Sequence, residues 1–202
     1  RRYMSWVTKK YAVEKSIDQY TRMYVTPMPN ESIEVGRPMK TTPIYNKLKD
    51  LGAVYLDSYG WEKPLWFGKP GMKEKYSFKR SNAFPYVKKE CENVHNNVGI
   101  LDLSTFAKFE IKGDDSEDYL NRLCANIIPK KDGGIILGHT LNNIGRIQSE
   151  LTITRLSKDK FYVLSSTASE IRDLDWFNHN KSKDEKLQIK NVTSDYGVLV
   201  LA

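Results

Sequence analysis

A chain of 202 residues, 40% apolar and 28% charged, has the make-up of a soluble globular protein with one domain plus an extension, or two small units. Its net charge of +7 raises nucleic acid as a partner, but the lysines are scattered among acids and no GXXG, zinc-finger or RNP-type motif accompanies them. Cys91 and Cys124 have no CxxC spacing and no nearby His cluster, which argues against a zinc site and a disulfide framework, and no apolar run is long enough to span a membrane.

The densest basic stretch is Lys73, Lys75, Lys79 and Arg80, with Tyr76 and Phe78 between them, and it suits an anionic small molecule as well as a polymer. Both cysteines read as small apolar positions on helices of a protein from a reducing compartment. No signal peptide opens the chain. Arg1-Arg2-Tyr3-Met4 reads like the interior of a protein, and the chain closes on an apolar strand with no polar tail. A piece of a longer polypeptide is expected.

The first forty residues are mixed, with Tyr3, Trp6, Tyr11, Tyr20 and Tyr24 spaced too irregularly for one clean helix, although a helix fits Val7 to Asp18. Thr26-Pro27-Met28-Pro29 breaks any regular element. A second helix is predicted with Thr42 as N-cap, Pro43 in the first position, Ile44, Leu48 and Leu51 at helical spacing and Gly52 as its stop. Ala53 to Leu56 suits a strand. Tyr59 to Gly68 sets three large aromatics among Gly and Pro and reads as an irregular docking loop, with Trp61 and Trp66 in interface packing. A polar linker, Lys69 to Arg80, follows.

A helix from Pro85 to about Asn96 would bury Val87, Cys91 and Val94, with Val98 next on that stripe. Gly99 to Ser104 reads as a turn into a short strand, and Ala107, Phe109 and Ile111 alternate in another that ends at Gly113. Asp114 or Asp115 can cap a helix whose buried face is Tyr119, Leu120, Leu123 and Cys124. After the Asp132-Gly133-Gly134 turn come strands at Ile135–Leu141, Ile147–Leu156 and Phe161–Leu164. Thr167-Ala168-Ser169-Glu170 matches a capping box for a helix burying Ile171, Leu174 and Phe177, and Leu187–Val192 and Tyr196–Leu201 are the last strands. This ordering predicts an α+β fold of mostly antiparallel sheet with single helices.

The stretch from Ile147 to Arg155 carries the chemistry. Ile147, Leu151 and Ile153 point one way, and Gln148, Glu150, Thr152 and Thr154 the other. One reading is a sheet with a solvated face; the other is a row of carboxylate, amide and hydroxyls that receives a ligand. Asp102 and Ser104 fit a turn role better than a ligand role. His95, His139 and His179 are isolated from any Ser, Cys or Asp constellation and read as structural. No spacing of ligating residues calls for a metal.

Two stretches resemble one family. Gly36-Arg37-Pro38, Thr42-Pro43-Ile44-Tyr45, Gly52-Ala53-Val54 and Gly60-Trp61-Glu62-Lys63-Pro64-Leu65-Trp66-Phe67 resemble the connecting segment of dimethylglycine and sarcosine dehydrogenases. From about Tyr86, Val98 to Ser104, Ile111-Lys112-Gly113, Tyr119-Leu120-Asn121 and Gly145 to Arg155 resemble the T-protein-like folate-binding aminomethyltransferase domain behind it. The resemblance implies a connecting segment at 1–68 and the N-terminal part of the folate domain at 69–202. It implies a two-centre enzyme. FAD, in a flavin domain of the same polypeptide before Arg1, oxidises an N-methylated glycine to an iminium, and tetrahydrofolate takes the carbon as 5,10-methylenetetrahydrofolate. The fragment alone would be inactive, in the cytoplasm or, in a eukaryote, the mitochondrial matrix.

The family places an Asp and, two residues on, a Thr beside the folate; the matching positions are Glu150 and Thr152. Glu150 is thus the candidate catalytic residue and Glu150, Thr152 and Arg155 the candidate folate-binding set, with Arg155 pairing either a folate carboxylate or surface acids. The family's second folate-contacting acid falls beyond Ala202. Glu for Asp is a departure: one methylene moves the carboxylate by on the order of 1 Å, enough to alter the rate roughly 100-fold. Two other readings follow: a stand-alone aminomethyltransferase or demethylase, and a folate-binding module without catalysis.

Overall fold

The computed structural model describes residues 7–202, so Tyr3 and Trp6 lie outside the described residues. The chain forms two compact units, one running to Thr105 and including Gly197–Ala202, the other Phe106–Tyr196.

The first unit opens with helix α1 (Lys9–Thr21), where the Thr8 side chain accepts the Tyr11 amide as N-cap. Helix α2 (Tyr45–Asp50) is shorter than predicted. Its N-cap is Ile44; Thr42 is buried and contributes its carbonyl to the Tyr45 amide rather than capping with its hydroxyl. Residues 59–68 are the main correction. They are not an irregular loop, because strand β1 (Ala53–Ser58) pairs antiparallel with strand β2 (Trp61–Phe67). Tyr59 and Gly60, at φ 54° and 84°, make the two-residue turn, a conformation that matches strand twist. Pro64 is tolerated because the register shifts between Val54 and Tyr55. Trp66 is buried with Val54 and Ala83 in this unit's core. Arg37 grips the buried Glu62 carboxylate through two bonds of 2.9 and 2.6 Å, and the Lys40 ammonium lies 4.1 Å from the Trp61 ring.

Helix α3 (Phe84–Asn96) forms as predicted, with Pro85 in its first turn, but turned about its axis. Ala83, the Tyr86 ring (5.4 Å from Trp66) and Glu90, which accepts the Phe67 amide, face the hairpin. Val87, Cys91 and Val94 are therefore exposed instead of buried. Strand β3 (Ile100–Asp102) pairs antiparallel with the last strand, β9 (Leu199–Leu201), which is shorter than predicted. Ser104 donates its amide to Asp102, and its hydroxyl accepts the Val198 amide, so both side chains serve this turn.

The second unit is one five-stranded antiparallel sheet backed by two helices. Its elements are β4 (Ala107–Lys112), α4 (Ser116–Leu123), β5 (Ile135–Leu141), β6 (Ile147–Ser157), β7 (Lys160–Ser165), α5 (Glu170–Asn180) and β8 (Gln188–Asn191), in sheet order β5-β6-β7-β4-β8. Ala107, Phe109, Ile111, Leu151, Ile153, Phe161 and Val163 form the buried face, against Tyr119, Leu120 and Leu123 of α4 and Phe177 of α5. Burying each large side chain contributes about 1.5–3 kcal/mol. The Phe109 and Phe177 rings meet edge-on at 5.3 Å, and the Tyr119 hydroxyl donates to the Phe177 carbonyl. Asp115 stands at the N-cap of α4 without capping it through its side chain; its carboxylate accepts the Lys186 amide. The first turn of α5 is 3-10 (Thr167–Ser169), and Ile171, predicted inside, is exposed while Asp173 is fully buried. Cys124 is buried and its thiol is pushed up to about 11 by that burial; Cys91 is exposed.

Gly113 turns β4 into α4 at φ 145°, and a Cβ there would lie 2.1 Å from the Lys186 carbonyl oxygen. Gly113→Ala is expected to lower stability by about 3 kcal/mol, strain and clash together, read as a lower urea midpoint with unchanged slope.

Candidate functional site

Strand β6 keeps its alternation in the fold. Ser149, Leu151, Ile153 and Arg155 are buried on the helix-covered face, while Gln148, Glu150, Thr152 and Thr154 lie on the other. Ile147, predicted to join the core, is exposed, because the register with β5 shifts at Thr140/Leu141 and the strand leaves the core there.

Glu150 and Thr152 thus share one face, as the two-residue period requires. The Glu150 side chain is 61% exposed and Thr152 half-buried. Across β5, His139 stands opposite Glu150, Leu137 opposite Thr152 and Ile135 opposite Thr154. Across β7, Leu164 stands opposite Thr152 and Tyr162 opposite Thr154. The result is a carboxylate and two hydroxyls beside exposed Ile135 and Leu137, a polar row flanked by apolar ground. The Tyr196 ring meets the Tyr162 ring edge-on at 6.2 Å, and ion pairs Lys160–Glu110 (2.8 Å) and Lys190–Asp195 (2.9 Å) mark the far side.

His139 is the residue the sequence reading missed. Its Nε2 lies 3.1 Å from Glu150 Oε2. The signal was present: pairing carried back from the Asn142–Gly145 turn through the register shift brings His139 to Glu150. His95 and His179 are exposed on α3 and α5.

Arg155 is not brought to this face. It is buried on the opposite side, donating to Glu117 (2.7 Å), Asp132 (3.2 Å) and the Pro129 and Lys158 carbonyls. Of its two expected roles, the geometry gives it the pairing with acids. The hydrogen bond that Arg155 donates to Glu117, more than any other contact, raises the affinity of Arg155 for its proton. Lys130 and then Arg155 hold the Glu117 carboxyl below its usual range.

On the helix-covered face, the Asp173 carboxylate accepts the hydroxyls of Ser149 (2.6 Å) and Ser165, plus Arg172 Nε at 3.1 Å. Arg172 also donates to Ser149 and Ser169. Among the described residues no three His, Cys, Asp or Glu side chains gather to hold a metal, and no helix is long and apolar enough to cross a membrane.

An antiparallel sheet backed by two helices on one face is an aminomethyltransferase-like fold. The chain superposes on the glycine cleavage system aminomethyltransferase T of Bartonella henselae with a TM-score of 0.65 and 20% identity, over 80% of this chain and 40% of that one. Residues 44–202 match the model of the GCVT N-terminal domain, and the chain belongs to that family. It is 37% identical over 205 residues to the mitochondrial dimethylglycine dehydrogenase of Rattus norvegicus, a match covering all of this chain and 24% of that protein. It is 29% identical over 186 residues to the mitochondrial pyruvate dehydrogenase phosphatase regulatory subunit of Mus musculus, covering 89% and 21% respectively. The chain spans about a quarter of the dimethylglycine dehydrogenase it matches. The resemblance read from the sequence and the α+β antiparallel fold are both borne out.

Arg155→Gln, which leaves Glu117 Oε2 without its arginine partner, is expected to lower the urea midpoint with an unchanged slope. Glu117 titrates lower folded than unfolded, so its stabilisation is present above the unfolded value and lost as pH falls through the folded one. Glu117→Gln should therefore flatten the acid limb of a stability–pH curve below about pH 4.5.

Proposed function

We propose that this chain is the folate-handling part of a FAD- and tetrahydrofolate-dependent dehydrogenase of N-methylated glycines, dimethylglycine or sarcosine. The observation that carries it is the Glu150–Thr152 pair on the helix-free face of a sheet in a GCVT-family chain. In this reading residues 1–68 connect to the flavin domain and 69–202 begin the folate domain. The relatives' mitochondrial names support a matrix location for a eukaryotic protein.

The face suits the acceptor. Tetrahydrofolate, when bound, supplies the two amine nitrogens that take up the one-carbon unit. Exposed Leu137 and Ile135 offer apolar ground for a flat ring, and Thr152 a hydroxyl to orient it. The Glu150 carboxylate stabilises the iminium by charge and takes a proton as the new C–N bond forms. The balance is one methylene carbon moved from the iminium and two N–H protons lost, one to the departing amine and one to the carboxylate. FAD has no cradle here: the named sheets of the described residues are antiparallel, without the strand–helix–strand crossover that holds a dinucleotide. FAD would be held by a flavin domain elsewhere in the polypeptide.

A second reading, a folate-binding module without catalysis, is favoured by Glu in place of the family's Asp and by the similarity to a regulatory subunit.

The test is the full-length protein supplied with dimethylglycine or sarcosine and tetrahydrofolate, with 5,10-methylenetetrahydrofolate and formaldehyde followed together. Glu150→Gln is expected to cut the methylene adduct about 100-fold and to divert carbon to formaldehyde. Wild type that oxidises the amine but forms no adduct would establish the second reading.

A further inference from the structure

We propose that His139 is a positioning residue for Glu150, holding one oxygen of its carboxylate so that the other is presented on the sheet face; this rests on the folate-transfer reading above. A glutamate arm has one more rotatable bond than an aspartate, and an exposed one samples several rotamers. A carboxylate that must meet a reacting nitrogen to within about an ångström needs an anchor.

The pair is built by the backbone. His139 and Glu150 are directly opposed on β5 and β6. The His139 amide and carbonyl both point away from β6, the amide donating to Asn126 Oδ1 at 3.0 Å and the carbonyl accepting from Ala125 at 2.9 Å. A residue whose own amide and carbonyl turn outward belongs to a non-hydrogen-bonded pair, the arrangement in which opposed side chains approach most closely. The neighbouring bridge between Cys124 and Thr140 fixes the same segment. His139 is thus clamped from outside, and the clamp sets where its ring can reach. The ring's Nε2 stands 3.1 Å from Glu150 Oε2 and donates there in the tautomer that carries its hydrogen on that nitrogen. Among the described residues no hydrogen bond engages the second oxygen, Oε1.

Two roles predict different results. A side-chain hydrogen bond this exposed adds little to folding stability. If the pair were surface decoration, its removal would change neither folding nor ligand handling. If His139 positions Glu150, removal leaves folding intact and acts on folate only while the carboxylate is present.

The experiment is a double-mutant cycle in the full-length protein with His139→Leu, Glu150→Gln and both together, plus His139→Gln, whose amide N–H reaches the same place as Nε2. The readouts are the rate of 5,10-methylenetetrahydrofolate formation, the calorimetric dissociation constant for tetrahydrofolate and the urea midpoint. His139→Leu is expected to slow adduct formation about tenfold and weaken folate binding several-fold, with an unchanged midpoint. His139→Gln should recover most of both. In the Glu150→Gln background, His139→Leu should add less than about twofold to either. Equal loss with and without the Glu150 carboxylate would overturn the inference, and so would a His139→Leu protein that matches an adduct-forming wild type. Wild type that binds no folate and forms no adduct would overturn the underlying reading and this inference with it.

Discussion

The second unit depends on strand β6 holding one register. Its side chains alternate, so a slip of one residue would carry Leu151 and Ile153 out of the core and Glu150 into it. Hydrophobic burial alone sets the sense of the alternation. Polar clamps at both ends of the buried row then fix the strand lengthwise. Ser149 is tied to the buried Asp173 at one end, and Arg155 to Glu117 and Asp132 at the other. Both clamps lie on the core side, where a misplaced charge or hydroxyl is costly to leave unpaired. The polar row on the far side inherits its placement from packing it never touches.

This explains which parts of the site were legible in the sequence. The orientation of Glu150 and Thr152 follows from period two and needs only the strand. Arg155 has the opposite parity, which the same rule shows, yet its partners Glu117 and Asp132 come from α4 and a turn that no local pattern brings together. His139 required the pairing across a turn with a register shift, a two-strand property that a one-strand pattern does not contain.

The fold was legible to a similar depth. Strands β4, β6 and β7 and helix α4 stand where alternation and helical spacing put them, because each buries its own apolar side. The two larger misreadings, both in the first unit, share a cause. Residues 59–68 were read as loop because Gly and Pro interrupt them, but Tyr59-Gly60 is the turn itself and Pro64 sits at the irregularity. Helix α3 was assigned a valine face by spacing, whereas Tyr86 and Glu90 are recruited by Trp66 and the Phe67 amide. In both cases tertiary partners outweighed local pattern.

The contrast between the two cysteines has a practical consequence. The Cys124 thiol is shut inside the core, and burial keeps it in its protonated, unreactive form at neutral pH. Cys91 lies in the open on α3. Among the described residues, a maleimide reagent therefore finds a single address. A fluorophore attached there would report on helix α3 and its uncovered valines without the removal of any native side chain.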